Sequence, residues 1–325
     1  MRLLKLVPDT TNIQFLKWRN VAIIISIILT VASITLTATR GLNFGVDFAG
    51  GQMIQATFTE DAEAPVVQLR EDIAGLGIEG ASIQRFGDEN QVSIRMRVTE
   101  GADDDPEIAN QVSTQVTQMM QANYEGVRID SVDSVSGKVS DELFRAGALA
   151  LGLAMVAISL YIWLRFEWQF GVGALFALFH DVALTFGFFA LTQLEFNLNI
   201  VAALLTIIGY SLNDTIVVYD RIRENLRKYR KMEIVPLLDL SVNETLARTV
   251  MTSLTMVFAL VVLIWVGPDL LFGFTAAMLL GIFIGTYSSV YMAAPILIWL
   301  KVGPDTFVPE EASGGQKIHK EGYGR

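Results

Sequence analysis

The chain has no cysteine, only two histidines and few charges: 18% of its 325 residues are Asp, Glu, Lys or Arg, against about 25% in an average soluble protein. Without cysteine there is no disulfide framework, thiolate zinc site, iron–sulfur cluster or thiol nucleophile. His180 and His319 alone cannot build a His-rich metal site or a two-histidine HExxH helix. No metal and no cofactor are expected. What the chain has in quantity is apolar side chain, 52% of the sequence.

That apolar content is gathered into six runs, at 21–39, 146–164, 170–191, 198–219, 249–266 and 270–300. A helix needs about 20 mostly apolar residues to cross a hydrocarbon layer roughly 30 Å thick, and each run is close to that length. Pro295 is expected to bend or stop the last one, because proline removes a helix hydrogen bond. The first run exceeds the roughly 7–15 apolar residues of a signal peptide, and no clear A-x-A pattern follows it, so it reads as an uncleaved anchor.

Basic residues then orient the spans. Arg2, Lys5, Lys17 and Arg19 precede the first run, and Arg165 lies between the second and third. Arg221, Arg223, Arg227, Lys228, Arg230 and Lys231 lie between the fourth and fifth, and Lys301, Lys317, Lys320 and Arg325 follow the sixth. Segments 192–197 and 267–269 have neither Lys nor Arg. Lys and Arg collect on cytoplasmic loops, so both termini are expected in the cytoplasm. The expected layout is an N-terminus at 1–20, a membrane helix at 21–39 and an outward-facing domain at 40–140. Five further spans over 141–300 follow, with a basic cytoplasmic loop at 220–247, and a cytoplasmic tail at 301–325.

The long connection 41–140 holds 17 acids and six bases, a net charge of −11, which argues against nucleic acid as a partner. It alternates like a strand at 52–58, has Val66, Leu69, Ile73 and Leu76 at helical spacing, and alternates again at 82–86 and 92–98 around a turn at 87–90. A second helix is predicted over 105–120, with Ile108, Val112, Val116 and Met119 on one face. A last strand at 127–135 is predicted to turn Val127, Ile129, Val132 and Val135 inward. This βαββαβ order fits a ferredoxin-like α+β sandwich.

Several motif matches fail on context. Gly75, Gly77 and Gly80 match GxGxxG but follow a helix and precede a strand, the reverse of the dinucleotide arrangement. Gly137-Lys138 lacks the upstream glycine of a phosphate loop. The sequons at Asn213 and Asn243 lie in a span and on the cytoplasmic side.

Polar residues within spans remain. Asp, Lys or Arg at a span centre costs about 2.5–3.5 kcal/mol, so such residues are functional candidates. Asp214 is the clearest, with Thr206 and Tyr210 on its helical face and Ser211 and Asn213 nearby. Arg248 is the natural counter-charge, in a stripe of Thr245, Arg248, Thr252 and Thr255. Residue types alone leave a static salt bridge, or Arg248 snorkelling to phosphates, as open as a working site. Asp181, beside His180 and in a row with Gly173, Ala177 and Thr185, reads more readily as helix packing with a structural hydrogen bond. Gly273, Ala277, Gly281, Gly285, Ser289 and Ala293 form an i+4 ladder of small residues that lets another helix approach closely.

The sequences GVDFAGG at 45–51, FHDV at 179–182, VAALLTIIGYSLNDTIVVYDRIREN at 201–225 and NETLART at 243–249 resemble motifs of the SecD/SecF family of protein-export membrane proteins. One loop domain and a length near 325 residues look like its shorter SecF branch. The resemblance implies an α-helical polytopic membrane protein with six transmembrane helices, half of an assembly related to RND exporters, in the bacterial inner membrane. It implies SecD as partner, the SecYEG channel with SecA acting upstream, and a translocating unfolded polypeptide as client. It also places a proton pathway at Asp214 and Arg248, with no enzymatic activity of the chain's own. The glycine-flanked segment of Gly45, Asp47, Phe48, Gly50 and Gly51 reads equally as a joint or as a static turn. A small-molecule RND-type antiporter and a purely structural scaffold are the competing readings.

Overall fold

The computed structural model describes residues 8, 11–60, 63–78, 81–85, 88–96, 106–303 and 306. Arg2, Lys5, Gly80, Gly87, Val98, Asp105 and the tail from 307, with Lys317, His319, Lys320 and Arg325, lie outside the described residues, as does the side chain of Ile108. A 3-10 turn, Phe15–Trp18, leads into α1 (Arg19–Arg40). A small domain follows: α2 (Val46–Ala49), β1 (Gly51–Phe58), α3 (Val66–Gly75), β2 (Ser82–Arg85), β3 (Gln91–Met96), α4 (Pro106–Asn123) and β4 (Val127–Val135). The remainder is helical: α5 (Gly137–Arg165), α6 (Trp168–Thr192), α7 (Leu198–Lys228), α8 (Ile234–Val266), α9 (Phe272–Ser288), a π-helical turn Ser289–Ala293 and α10 (Ala294–Trp299).

Six helical segments are long and apolar enough to cross a membrane: α1 with its leading turn, α5, α6, α7, α8 and the continuous stretch Phe272–Trp299. The chain is a helical polytopic membrane protein. Helices α6, α7 and α9 are the central ones, with over half of their apolar windows buried, while α1, α5 and α8 are mostly exposed. Ile28, Leu153, Val156, Phe258, Val262 and Trp265 accordingly point outward, as apolar side chains do when lipid replaces water as the solvent.

Two features of the helices depart from the apolar runs. α7 continues to Lys228 and α8 begins at Ile234, so most of the segment predicted as a basic loop over 220–247 is helix. The reason is amphipathic packing: Ile222, Leu226, Leu237, Leu238 and Val242 are buried in one cluster, and Asn225 Nδ2 donates to Ser241 Oγ at 3.0 Å and Glu244 Oε2 at 2.7 Å. The sixth span does not stop at Pro295. The helix widens into the π turn first and places Pro295 in the opening turn of α10, so the irregular turn lies directly ahead of the residue that has no N–H to donate.

The sheet has the order β2-β3-β1-β4 with every pair antiparallel. Alternation puts Ile54, Ala56 and Phe58 of β1 with Ile83, Val92, Ile94 and Met96, under Leu69 and Ile73 of α3 and Val116 and Met120 of α4. Val127 and Ile129 join that core, but Val132 is exposed on edge strand β4, beyond a register shift opposite Gln55 and Ala56. Leu76, which continues the helical spacing of Val66, Leu69 and Ile73, is exposed just beyond the end of α3 at Gly75. α5 starts directly after β4, its first turn capped by Ser136, so the domain and the second span share a boundary without a linker.

Candidate functional site

The ladder on α9 sets how closely the central helices approach. A Cβ at Gly281 would sit 2.5–2.8 Å from three Ile207 side-chain atoms, and one at Gly285 would sit 2.9 Å from Ser211 Cβ and 3.2 Å from Ser211 Cα. Both positions exclude any larger residue at this separation, and Ala277 is fully buried. Gly273 is looser, its nearest neighbour being Ile200 at 3.5 Å.

Inside that packing lie two carboxylates. Asp214 is 8% exposed, and Thr249 Oγ1 of α8 donates to its Oδ1 at 2.6 Å. Its Oδ2 is buried without a hydrogen-bond partner among the described residues, and Ser289 and Arg248 complete its polar surroundings. Arg248 is exposed and forms no ion pair among the described residues, so Thr249 occupies the place expected for the guanidinium. The polar stripe also needs correction. The row facing α7 and α9 is Thr245, Thr249 and Ser253; Arg248, Thr252 and Thr255 face outward. Both rows contain Thr245 and both have helical spacing, so periodicity alone does not choose between them.

The other candidates divide likewise. Tyr210 Oη donates to Ser253 Oγ at 3.0 Å, and Ser253 is 2.9 Å from Thr286 Oγ1, one turn from Asp214. Asn213 and Thr206 are exposed. Thr245 is buried but returns its hydroxyl to Ser241 and Val242 carbonyls of its own helix. Thr249 and Thr215 were missed as site residues; the available signal was the step of four from Thr245 to Thr249.

Asp181 is fully buried and well supplied with donors. Its Oδ2 accepts from Ser211 Oγ at 2.5 Å and Ser288 Oγ at 2.8 Å, and its Oδ1 is 2.9 Å from His180 Nδ1. Ser289 donates to Gly285 O at 2.9 Å and lies 2.9 Å from Thr215 Oγ1, while Ser288 Oγ, whose one hydrogen goes to Asp181, is 3.1 Å from the same carbonyl. Of these adjacent serines at the π turn, Ser288 serves Asp181 while Ser289 lies beside Asp214, and Tyr219 Oη holds the turn through Ala293 O at 3.0 Å. π turns occur often at functional positions. Among the described residues no group of three or more His, Asp or Glu side chains is arranged to hold a metal.

The glycine-flanked segment is brought to one place, where the sheet domain meets the membrane helices. Gly45 N–H donates to Phe196 O at 3.0 Å and Phe196 N–H to Asn43 O at 2.7 Å. Asp47 Oδ2 accepts the Leu198 N–H at 2.8 Å, so its charge sits on the N-terminus of α7, where an anion is favoured. The Phe48 ring meets Phe44, Phe144 and Phe196 with centroids about 6.0–6.1 Å away. Gly50 and Gly51 have φ of +67° and +101°, a region open to glycine and costly for other residues.

Residues 115–303 match the family described as protein export membrane protein SecD/SecF, C-terminal, and residues 35–62 match the SecD/SecF GG motif. A protein translocase subunit SecF from Rhodobacter capsulatus is 45% identical over 91% of this chain and 91% of its own length. One from Pseudomonas aeruginosa is 39% identical over 93% of this chain and 95% of its own. The chain belongs to the SecD/SecF family of protein-export membrane proteins. It is an accessory subunit of the protein translocase. SecDF from Thermus thermophilus, a translocon-associated membrane protein, superposes with a TM-score of 0.81 at 30% identity over 90% of this chain. The chain spans 39% of that longer protein. Within the SecD/SecF framework the GG match covers the end of α1, the junction and β1, and the C-terminal match covers both buried carboxylates and the π turn.

Proposed function

We propose that this subunit helps polypeptides leave the SecYEG channel after the SecA motor has acted, in complex with SecD and driven by protons crossing the membrane at Asp214. It sits in the bacterial inner membrane with both termini in the cytoplasm, a reading supported by the distribution of Lys and Arg along the loops. The loop domain is periplasmic and of the ferredoxin-like type; the βαββαβ order and the antiparallel β2-β3-β1-β4 sheet support this.

The observation that carries the proposal is the state of Asp214: buried, bound by one hydroxyl, with one oxygen unpartnered and an exposed Arg248 beside it. A carboxyl so placed is able to take and release a proton. Arg248, Thr252 and Thr255 of α8 and Asn213 and Thr206 of α7 are all exposed, and on this reading they lie at bilayer depth. Charged groups at that depth usually face protein or water rather than lipid, which fits SecD packing there and a water path forming between the halves. Arg248 pairs with the ionised carboxylate when it swings in and leaves that charge uncompensated when it swings out.

The energy scale suffices. One charge crossing 100 mV is worth about 2.3 kcal/mol, and one pH unit adds about 1.4 kcal/mol. Two packed states are biased by that amount only if proton affinity differs between them, and movement of α8 against α7 supplies the difference. The test is export into inverted membrane vesicles with SecD present. Asp214→Asn is expected to abolish stimulation by a proton gradient while leaving subunit levels unchanged; full stimulation contradicts the proposal.

A further inference from the structure

A second titratable site lies far from Asp214, in a cleft of about 110 Å³ between the sheet domain and the loop joining α6 to α7. The loop contributes Glu195 and Gln193, the sheet contributes Gln84 of β2 and Arg95 of β3, and the linker after α1 contributes Asn43. Arg95 Nη2 is 3.7 Å from Glu195 Oε2, the two side chains being 17% and 21% exposed. Arg95 Nη1 donates to Asn43 Oδ1 at 3.0 Å. Asn43 Nδ2 faces Gln84 Oε1 at 3.0 Å and Gln193 O at 2.9 Å. Gly45 makes room for the acid, since a Cβ there would collide with Glu195 Oε1. Glycines with φ of +74° at Gly41 and +67° at Gly50 flank this contact, one on each side, and furnish pivots.

We propose that Glu195 is a proton-binding site on the aqueous side occupied by the sheet domain, and that its charge decides whether that domain stays docked on the α6–α7 loop. Burial in the docked cleft lifts the Glu195 carboxyl above its ordinary range; Arg95 pulls the other way, Asp47 and Asp133 raise it further, and Asn197 lowers it. Released into water, the group returns to the usual glutamate value of about 4.3. The docked carboxyl therefore holds its proton more tightly than the released one, and linkage makes acid favour docking. The gain is complete below the released pKa and is lost as pH rises through the docked one. Each unit of difference changes the docked-to-released ratio about tenfold. A break of the Arg95 contact by acid would have the opposite sign, so the direction itself is diagnostic. The site is independent of Asp214.

The chain has no native cysteine, so Val67→Cys on exposed α3 and Thr192→Cys at the end of α6 place two spin labels on the full-length protein in lipid nanodiscs. Electron–electron double resonance then reads the domain-to-membrane distance between about pH 4 and about pH 8, the range that brackets an ordinary and a raised carboxyl. The docked distance is expected to gain population as pH falls, with Glu195→Gln docked at every pH and Arg95→Gln shifting the transition to higher pH. Asp214→Asn is expected to keep the wild-type profile. A pH-independent wild type, a Glu195→Gln protein that titrates like wild type, or docking that increases with pH overturns the proposal.

Discussion

Gly285→Ala tests the packing on which both carboxylate networks stand. The added Cβ would lie 2.9 Å from Ser211 Cβ and 3.2 Å from Ser211 Cα, whereas carbon atoms rest about 3.5–4.0 Å apart. A backbone atom is among those met, so rotamer change gives no relief, and α9 must move from α7 by roughly 0.5–1 Å. Overpacking of this kind costs about 1–3 kcal/mol. The displacement also acts on chemistry. Ser211 and Ser288 donate to Asp181 from the two separating helices, and Thr215 meets Ser289 across the same gap. Gly273→Ala, on the same ladder but with its nearest neighbour at 3.5 Å, is the control. The assays are the apparent melting temperature of the purified protein in detergent and gradient-driven export in vesicles. Gly285→Ala is expected to lower both and Gly273→Ala neither. A Gly285→Ala protein with wild-type melting and export would refute the packing argument.

Other perturbations reach separate parts of the molecule. Gly50→Ala forces a side chain into φ of +67° with Ser140 Oγ only 3.3 Å from the new Cβ; a cost of about 1–2 kcal/mol and reduced export are expected, measured by melting and vesicle assay. Asp47→Ala removes the anion that accepts the first N–H of α7, which is worth about 1 kcal/mol; faster amide exchange at Leu198 and its neighbours checks this. Thr249→Val keeps the shape but deletes the one hydroxyl bound to Asp214 Oδ1, and the pH dependence of gradient-driven export is expected to shift while protein levels stay constant.

Much of this was legible in the sequence because lipid imposes a coarse rule: a spanning helix must be apolar for about 20 residues. All six spans, and the alternation that built β1 and β3, follow from it and from period-two patterning. The polar ends at which α7 leads into α8 were not legible, since Arg221, Glu224 and Arg227 mask the buried Ile222 and Leu226 in any average. Asp214 was found because an acid in an apolar run is conspicuous. Its actual partner was not, because Thr249 and Arg248 are adjacent and only the rotation of α8 decides which one faces inward. The π turn has a local hint in Pro295, yet its position depends on Tyr219 of another helix. Glu195 was passed over for the same reason: nothing near it in sequence announces Arg95, 100 residues earlier in the chain.

The central claim concerns a change of protonation at one side chain. Infrared difference spectroscopy on the subunit assembled with SecD in lipid, with a proton gradient applied and then collapsed, addresses it directly. A carboxyl C=O band that rises and falls with the gradient, and is missing in Asp214→Asn, is the predicted result. An unchanged spectrum, or a band that persists in Asp214→Asn, would contradict it.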